Sequence, residues 1–567
     1  MHIDIVPNRG SPPAILLRQS YRESGKVKKR TLANLSDLSM DKVLAIKAVL
    51  RGDKLAPVAE VFEVVASRAH GAAQAVGEAM RRLGLADLVG PACPERDRVL
   101  AMVAARVLAP QTKLATTRWW ATTTLAEDFA VADADERDLY GAMDWLLAHQ
   151  DTIQKKLARR HLQAGGLVLY DLSSSWVEGT CCPLARRGYS RDGKKGTLQV
   201  NYGLVTDPRG CPVAVSVHEG NTADSATFLP TVQKLREDFA IGQFVIVGDR
   251  GMISQKAMDE MRDIDGVAWI TALKSASIRA LIEQKHLQPD LFDERNLLEL
   301  AHPDYPGERL IACRNRELAR LRAHKRSDLL ADTTADLDKI RVRVEAGRLA
   351  GKAKIGLAVG KIIDKRKVAK HFVLDIADTA FAFHRDQDKI DQEAALDGLY
   401  IIRTRLDPAR MDGETCVRAY KSLSQVERAF RSIKTVDLKV RPIHHRLEDR
   451  VRAHIFLCML AYYVEWHMKE AWRALTFADE DQAAKLTRDP VAPAIRSDKA
   501  LAKVASHTLD DATAAHSFAT LMAELATIVR NTCRVPAAGE NPPTFQILTT
   551  PNPTLAKALK FIQAIRP

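Results

Sequence analysis

The sequence predicts a mixed α/β fold, and two observations indicate it. Between residues 166 and 273 the apolar patterns follow the order strand, β-hairpin, helix, strand, helix, strand. Apolar residues with helical spacing dominate the segments on both sides, from about 57 to 163 and again after 450. Three strands followed by alternating helices and strands favour a mixed sheet covered by helices.

The N-terminal segment predicts a β-hairpin. Residues 14–35 contain two alternating segments around the Glu-Ser-Gly turn at 23–25, and the strand after the turn is very basic. Residues 57–163 follow with helical patterning, for example over 136–157. A chain of 567 residues exceeds the roughly 250–300 at which a single core stops growing, so several domains are expected.

The central segment carries the predicted sheet. The stretch GLVLY is a buried strand that ends at Asp171, and QFVIVG is another strand that runs into Asp249. Between them a hairpin turns at Asp-Pro-Arg-Gly, residues 207–210. The predicted elements are the strands 166–170, 198–206, 211–218, 243–248 and 267–273 and the helices 225–239 and 254–264.

After Lys274 this alternation stops, and the chain becomes strongly basic. Between Arg314 and Lys370 there are 17 lysines and arginines against 7 acidic residues, largely in a long helical section. A solvated pair of charged helices is one explanation, but such faces usually mix the two signs more evenly. The strand-like pieces of this segment are 309–313, 370–374 and 398–405.

The charge of the whole chain indicates an anionic partner. Its formal charge is +13 and its pI about 9.3. The longest apolar run, 455–464, is far shorter than the roughly 20 residues that span a bilayer, so no membrane partner is expected. The eight cysteines form no CxxC pair and no zinc-type spacing with histidine, and the first residues lack a signal region. These features predict a reduced, cytoplasmic protein.

The stretch YKSLSQVERAFRSIK, residues 420–434, predicts a helix with an acidic residue inside its apolar stripe. At 3.6 residues per turn, Glu427 falls on the same face as Tyr420 and Phe430. In an isolated helix this carboxylate would pair with Arg431, one turn later.

Three carboxylates could meet at one edge of the sheet. Asp171 and Asp249 end apolar strands, and the helix that holds Glu427 could pack across the same edge. Such a group requires a cation, and hard oxygen ligands suit Mg²⁺, or Mn²⁺ in its place. Two such ions would support in-line attack on a phosphodiester. Taken separately, Asp171 could cap the turn before Ser173, and Asp249 could pair with Arg250.

The chain resembles the DDE transposases of bacterial insertion sequences over about residues 165–466. The matching stretches are YDLSSSW around Asp171, GYSRDGKKGTLQVNYGLVTD, HEGNTADSATF, GDRGMIS around Asp249, and the helix with Glu427. The resemblance implies an RNase H-like catalytic core with a five-stranded mixed sheet. It also implies an α+β insertion that interrupts this core before the glutamate, and a mainly helical N-terminal region.

The resemblance also implies a reaction. The enzyme would hydrolyse phosphodiester bonds at the element's terminal inverted repeats and transfer the 3′-OH ends into target DNA. Asp171, Asp249 and Glu427 would be the catalytic residues and would bind two Mg²⁺ ions. Double-stranded DNA is then the partner, and a homodimer on DNA is expected because two ends must be joined. The protein would act in the bacterial cytoplasm, at the nucleoid.

One branch of this family carries the signature Tyr-x2-Arg-x3-Glu-x6-Lys. Tyr420, Glu427 and Lys434 fit it, and Tyr420 and Lys434 would contact phosphates beside the scissile bond. Leu423 occupies the arginine position, so a neighbouring arginine of the helix would have to replace that contact. The residues expected to bind DNA are Tyr420, Lys434, Arg428, Arg431, Lys194, Lys195, Arg250, Lys352, Lys354, Lys365, Arg366 and Lys367.

These observations predict six segments. They are a β-hairpin segment (1–55), a helical DNA-binding region (56–163), the first part of the core (164–275), a basic insertion domain (276–411), the second part of the core with the catalytic helix (412–475), and a helical C-terminal region (476–567). If the second DNA strand were cut through a hairpin intermediate, a flipped base would need an aromatic platform. Because the insertion contains no tryptophan, the candidates are Phe372, Phe381, Phe383 and Tyr400.

Two other functions stay open at this stage. One is a catalytically inactive protein that binds the element's ends as a repressor, and the other is a stand-alone RNase H-like nuclease. The intact set of three acids favours an enzyme over the repressor, since decay would be expected to remove one acid early. The basic insertion and the large helical N-terminal segment favour recognition of long duplexes, which a simple nuclease does not require.

Overall fold

The computed structural model of the chain contains two compact units. The first comprises residues 1–68 and 529–549, and the second comprises residues 69–528 and 550–567. The residues that the structure describes are 1–53, 61–287, 292–535 and 543–566.

The strands of the described residues are β1 (His2–Val6), β2 (Ala14–Glu23), β3 (Lys26–Asn34), β4 (Glu63–Ala69), β5 (Leu167–Trp176), β6 (Arg186–Arg187), β7 (Leu198–Thr206), β8 (Pro212–Glu219), β9 (Phe244–Val247), β10 (Val267–Ala272), β11 (Leu297–Leu300), β12 (Arg309–Arg314), β13 (Phe372–Ile376), β14 (Phe381–Arg385), β15 (Leu399–Thr404), β16 (Val529–Arg534) and β17 (Thr544–Leu548).

The α-helices of the same residues are α1 (Met40–Arg51), α2 (Gly71–Arg82), α3 (Leu85–Val89), α4 (Pro94–Leu108), α5 (Lys113–Trp120), α6 (Leu125–Asp128), α7 (Glu136–Ala148), α8 (Gln150–His161), α9 (Asp224–Glu237), α10 (Gln255–Arg262), α11 (Ser275–Glu283), α12 (Arg316–Glu345), α13 (Lys352–Ile363), α14 (Gln387–Ala394), α15 (Gly413–Lys421), α16 (Leu423–Arg431), α17 (Glu448–Ala471), α18 (Ala484–Thr487), α19 (Asp498–Ser506), α20 (Phe518–Leu525) and α21 (Pro553–Gln563). A π-helical turn, Ser432–Val436, follows α16.

The first unit contains two small sheets. In the antiparallel sheet β1-β2-β3 the predicted hairpin is confirmed, because Glu23 pairs with Lys26 across a two-residue turn. The turn residues Ser24 and Gly25 both have positive φ, 52° and 77°, as a type I′ hairpin turn requires. The second sheet has the order β17-β16-β4, so strands from distant parts of the chain build this unit.

One large mixed sheet lies at the centre of the second unit. Its order is β11-β12-β15-β10-β9-β5-β7, and β6 and β8 both pair with the remaining edge of β7. β9 is parallel to β5 and β10, and the other pairs are antiparallel. The five strands predicted from the sequence are adjacent in the order β8-β7-β5-β9-β10. The predicted RNase H-like mixed sheet is therefore confirmed.

The apolar patterns explain which elements lie at the centre. β9 and β10 are buried along their whole length, which means that both of their faces are covered. The helix α17 is buried from Ala453 to Met468 and packs against α4, α7 and β8. No helix of the described residues is long and apolar enough to cross a membrane.

The sheet is larger than predicted, with nine strands in the described residues instead of five. Three of the additional strands, β11, β12 and β15, come from the segment expected to form the insertion. β15 pairs with β10, and β12 pairs with β15. This arrangement covers an edge of β10 that would otherwise expose unpaired backbone groups. The rest of that segment has its own small core between α12, α13 and the hairpin β13-β14.

Three local predictions differ from the structure. The strand predicted to end before Asp171 continues to Trp176, because β7 pairs with it over that length. The helix predicted over 136–157 divides at His149 into α7 and α8. The helix predicted over 420–434 divides into α15, α16 and the π-helical turn.

Replacing Glu308 by alanine is expected to destabilise the second unit. The fully buried carboxylate accepts hydrogen bonds from Arg403 at 2.6 and 2.7 Å and from Arg262 at 2.7 Å. Without it, the buried Arg403 guanidinium has no carboxylate partner, which should lower the free energy of unfolding by about 3–5 kcal/mol. Denaturation by urea measures the change.

The matched control is Glu299→Ala. Glu299 pairs with Arg309 at 2.8 Å, but its side chain is 43% exposed. The loss of such a pair should cost less than about 1 kcal/mol. If both variants lost the same free energy of unfolding, the buried ion pair would contribute no more to stability than the exposed one.

Candidate active site

Two acidic residues occupy neighbouring parallel strands at corresponding positions. Leu169 of β5 pairs with Val247 of β9 in parallel register. Asp171 and Asp249 each lie two residues further along, so the register aligns them on one side of the sheet. Asp171 is within β5, whereas Asp249 lies in the loop that leaves the end of β9. The two acids therefore lie at the same level of the sheet, although β5 continues past Asp171 to Trp176.

The third acidic residue, Glu427, is on α16, which packs against β5. The buried side of α16 consists of Val426, Ala429 and Phe430, and Glu427 itself is exposed. The prediction that Glu427 lies inside the apolar stripe is wrong, because it lies beside the stripe, one position after Val426. The helix can therefore pack against β5 while this carboxylate stays hydrated.

The structural roles considered for these acids do not occur within the described residues. No ion pair joins Glu427 to Arg431 or Asp249 to Arg250 there. Asp249 instead accepts a hydrogen bond from the hydroxyl of Tyr420 at 3.1 Å. Burial and the nearby Asp249 carboxylate raise the pKa of Tyr420, so this hydroxyl stays protonated and can donate.

Burial raises the pKa of Asp171 to about 7. The backbone N–H of Leu172, which donates to the carboxylate at 2.8 Å, opposes the rise. The negative charges of Asp249 and Glu427 add to it, and the guanidinium of Arg191 opposes it. The three acids are thus close enough to influence one another electrostatically, and a cation among them would relieve their repulsion.

The donor set fits a hard divalent ion. Three carboxylates supply the oxygen ligands that Mg²⁺ and Mn²⁺ prefer. Within the described residues the ligand atoms of the three acids do not all lie within 4.8 Å of one another. Like charges repel, so a bound dication would draw these groups together and lower the pKa of Asp171.

Lys434 is buried, with only 8% of the residue exposed. Its ammonium donates to the hydroxyl of Ser173 on β5 at 3.0 Å and pairs with Asp192 at 2.6 Å. Arg441 pairs with the same carboxylate. Lys434 is carried by the π-helical turn after α16, and π turns are frequent at functional sites. Its phosphate contact stays a prediction.

Exposed cations lie on the segments that carry Asp249 and Glu427 and on the segment before β7. Arg428 and Arg431 are exposed on α16, and Arg250 is exposed in the loop after β9. Leu423, at the arginine position of the signature, packs against the core. Lys194 and Lys195 are exposed before β7, and the Lys194 ammonium lies 3.8 Å from the ring centre of Trp176.

The predicted DNA contacts of the basic segment divide into two groups. Arg366 pairs with Asp332 at 3.5 Å and with Asp336 at 2.8 Å, so its charge is largely balanced within the chain. The other residues are exposed and stay predictions; they are Lys352, Lys354, Lys365 and Lys367.

A cleft of about 710 Å³ connects the acids to the basic segment, since Asp249 and Tyr420 line one part of it and residues of α12 another. Sequence reasoning missed five of its cations, which are Arg279, Arg322, Lys325, Arg326 and Lys370. Arg326 pairs with Asp397 and Lys370 with Glu393, which leaves Arg279, Arg322 and Lys325. All three are exposed, and none forms an ion pair in the part of the chain that the structure describes. The only sequence signal was the general basic excess, which does not say which cations share a cleft.

The proposed aromatic platforms for a flipped base are mostly enclosed. Phe372 and Phe381 are buried in the small core of α12, α13 and the hairpin β13-β14. Phe383 stacks on Phe381 with ring centres 5.7 Å apart, and Tyr400 is half-buried. Tyr189, before β7, is 81% exposed and was not singled out by the sequence.

Known proteins resemble the chain in two regions. Residues 171–464 match the family model of the transposase DDE domain, and residues 3–58 match the N-terminal domain of the IS1634 family transposase. The first match covers more than half of the chain, begins at Asp171 and includes Asp249 and Glu427. No curated protein is significantly similar to the chain.

Among solved structures, the chain is similar to the piggyBac transposase in a synaptic complex with hairpin DNA. The sequence identity is 9%, and the match covers 78% of this chain and 85% of that chain. The TM-score is 0.36.

Replacing Asp171 by asparagine is expected to stabilise the metal-free protein at alkaline pH. The native pKa of about 7 lies above the ordinary value of 3.8, so the native state binds the proton more tightly than the unfolded state. Stability should therefore fall as pH rises from about 4 to about 7, and it should stay low above that. Asparagine carries no charge at either pH. The free energy of unfolding of the variant should therefore exceed that of wild type by roughly 1–3 kcal/mol at pH 8 and by little at pH 4.

Denaturation in the presence of a chelator, at pH 4 and pH 8, measures this difference. The control is Asp375→Asn, which changes an exposed aspartate of β13. It should leave the stability unchanged at both values. A stability gain of Asp171→Asn that does not depend on pH would contradict the electrostatic explanation.

Proposed function

Because the chain belongs to the family of DDE transposases encoded by insertion sequences, we propose that Asp171, Asp249 and Glu427 are its catalytic residues. The observation that supports this most strongly is their joint position. Two adjoining parallel strands and a helix packed on one of them carry the acids, and burial together with the charges of Asp249 and Glu427 raises the pKa of Asp171. The family acts on DNA with a divalent metal.

The same three carboxylates would hold the metal, as two Mg²⁺ ions or two Mn²⁺ ions. Bound there, the ions would activate a water or a 3′-hydroxyl for in-line attack and stabilise the leaving oxygen. The protein supplies the positions of the ligands. Tyr420 orients Asp249 through its hydroxyl, and Asp171 is fixed within a strand that has partners on both sides.

Lys434 connects the strand of Asp171 to the helix of Glu427. It follows α16 in the chain and donates to Ser173, two residues after Asp171. The pair with Asp192 holds its ammonium in that position. We therefore propose that the main role of Lys434 is to position the acids. To contact a phosphate of DNA, it would have to break its ion pair with Asp192.

The substrate in this proposal is double-stranded DNA at the terminal inverted repeats, whose 3′ ends are transferred to target DNA. The exposed cations Arg250, Arg428 and Arg431, together with Lys194 and Lys195, would bind phosphates near the scissile bond. The cleft lined by Arg279, Arg322 and Lys325 gives the strand a path from the acids to the basic segment. Since two ends are joined, the active assembly would be a homodimer on DNA.

Replacing any one of the three acids should abolish cleavage but not DNA binding. The test compares wild type with Asp171→Asn, Asp249→Asn and Glu427→Gln on labelled duplexes that carry the junctions between this gene's element and its flanking DNA. With Mg²⁺, wild type should nick one defined position on a denaturing gel. Each variant should be slower by about a thousandfold, or about 4 kcal/mol, because a metal ligand is lost.

The control is Glu260→Gln on α10, whose carboxylate is exposed and lies outside the site. It should cleave like wild type, and gel shifts should show equal binding for all five proteins. Full cleavage by an acid variant would remove that residue from the site. Specific binding without cleavage by wild type, in either metal, would favour the end-binding repressor.

Removing the three cleft cations together should weaken DNA binding and its dependence on salt. The variant is Arg279→Ala, Arg322→Ala, Lys325→Ala. Each lost phosphate contact should reduce the slope of log affinity against log salt by about one unit, so the slope should fall by about three. Fluorescence anisotropy with end DNA at several salt concentrations measures it.

A matched variant removes the same net charge elsewhere. Arg236, Lys256 and Arg496 are exposed and do not line the cleft. Their replacement by alanine should change the slope by less than one unit. If both triple variants lose the same slope, the cations act through net charge alone, and the cleft is not the path of the strand.

A further inference from the structure

Two histidines and a cysteine meet at a place that the acidic site does not use. His161 is the last residue of α8, Cys211 precedes β8, and His467 is near the end of α17. One ligand atom from each lies within 4.8 Å of the other two. They come from three elements far apart in the sequence, which is why no spacing in the sequence pointed to them.

The distances are close to those of a transition-metal site. The Cys211 sulfur lies 3.8 Å from Nε2 of His467. In a tetrahedral zinc site, bonds of about 2.3 Å to sulfur and 2.0–2.1 Å to nitrogen place such atoms about 3.6 Å apart. The other two pairs lie within 4.8 Å, so a contraction of at most about 1.5 Å would bring all three atoms to tetrahedral separations.

Burial disfavours the charged forms of all three groups. It lowers the pKa of His161 to about 4 and that of His467 to about 3. Burial raises the pKa of the Cys211 thiol, so a metal would have to displace its proton to solvent.

The neighbouring charges are mixed. Arg209 and Arg160 lie near the histidines and oppose a cation. Arg209 is neutralised in part by Asp207, which it contacts at 2.8 Å, and the thiolate supplies a further negative charge. The hydroxyl of Tyr463 forms a hydrogen bond with Nε2 of His161 at 3.0 Å and fixes the orientation of this ring. The outer partners of metal ligands commonly do the same.

We propose that His161, Cys211 and His467 bind one Zn²⁺ ion. Imidazole and thiolate ligands suit zinc, whereas the acidic site offers only oxygen. The fourth ligand would be water, because a cavity of about 350 Å³ lined by His161 and His467 adjoins the group. The ion would join the end of α8, the start of β8 and the core helix α17, so its removal would destabilise their packing. The proposal does not depend on the catalytic one.

Cobalt titration of the full chain tests this site. Chelator-treated protein in excess Mg²⁺, which occupies the acidic site, is titrated with Co²⁺. Wild type should develop the thiolate-to-cobalt charge-transfer absorption with one ion per chain, and one equivalent of Zn²⁺ should abolish it. Zn²⁺ should also raise the melting temperature of the metal-free protein by a few degrees. Absence of the absorption in wild type overturns the proposal, whatever the variants do.

Substitutions identify the thiol that binds cobalt. Cys211→Ser should lose the absorption, and His161→Gln, at a half-buried position, should weaken cobalt binding at least tenfold. The matched control is Cys458→Ser, which changes another buried cysteine, 4.0 Å from Nε2 of His454. It should keep the absorption. An absorption that persists in Cys211→Ser belongs to another thiol, such as the exposed Cys181, and overturns the assignment.

Discussion

The parallel pairing of β5 with β9 is the interaction on which the site depends. It aligns Asp171 with Asp249, although 77 residues separate them in the chain. β7 pairs with the rest of β5, so Asp171 sits where one neighbour ends and the other continues. A shift of one residue in this register would turn one carboxylate to the opposite face of the sheet. The buried apolar residues of β9 and β10 oppose such a shift, and core packing thereby sets the geometry of the acids.

The same geometry creates an electrostatic cost. Burial and the two neighbouring acids raise the pKa of Asp171 to about 7, although the backbone N–H of Leu172 and the guanidinium of Arg191 partly compensate for its charge. In the proposed site, a divalent ion would supply the compensation. Lys434 does not neutralise the acids, because Asp192 already balances its charge. Its hydrogen bond to Ser173 holds β5 next to the chain after α16. Ion binding would therefore not have to order this part of the protein.

The sequence predicted the features that local pattern decides. β7 and the turn after it appear at the predicted residues, because alternating apolar residues and Asp-Pro-Arg-Gly act within a few positions of each other. The features that the sequence did not predict depend on residues that are far away in the chain. The length of β5 follows from β7, the exposure of Glu427 from the packing of α16, and the burial of Lys434 from Asp192. The three acids themselves could be named, since they follow apolar strands or lie on an amphipathic helix, and the family resemblance set their order. Arg279 and Arg322 could not, because nothing in the sequence places α11 and α12 beside Asp249.

The enlarged sheet has a consequence for how DNA would reach the acids. A basic segment attached by flexible linkers could take many orientations, and each DNA contact would then have to order it at an entropic cost. Here β15 is hydrogen-bonded to β10 and β12 to β15, so the segment begins and ends inside the sheet that carries the acids. α11 and α12 emerge directly from these strands, and their cations line the cleft that contains Asp249. The backbone pairing therefore holds these cations at a fixed distance from Asp249. If they bind phosphates as proposed, the binding energy of distant phosphates would position the scissile bond, because it would not be spent on ordering the protein.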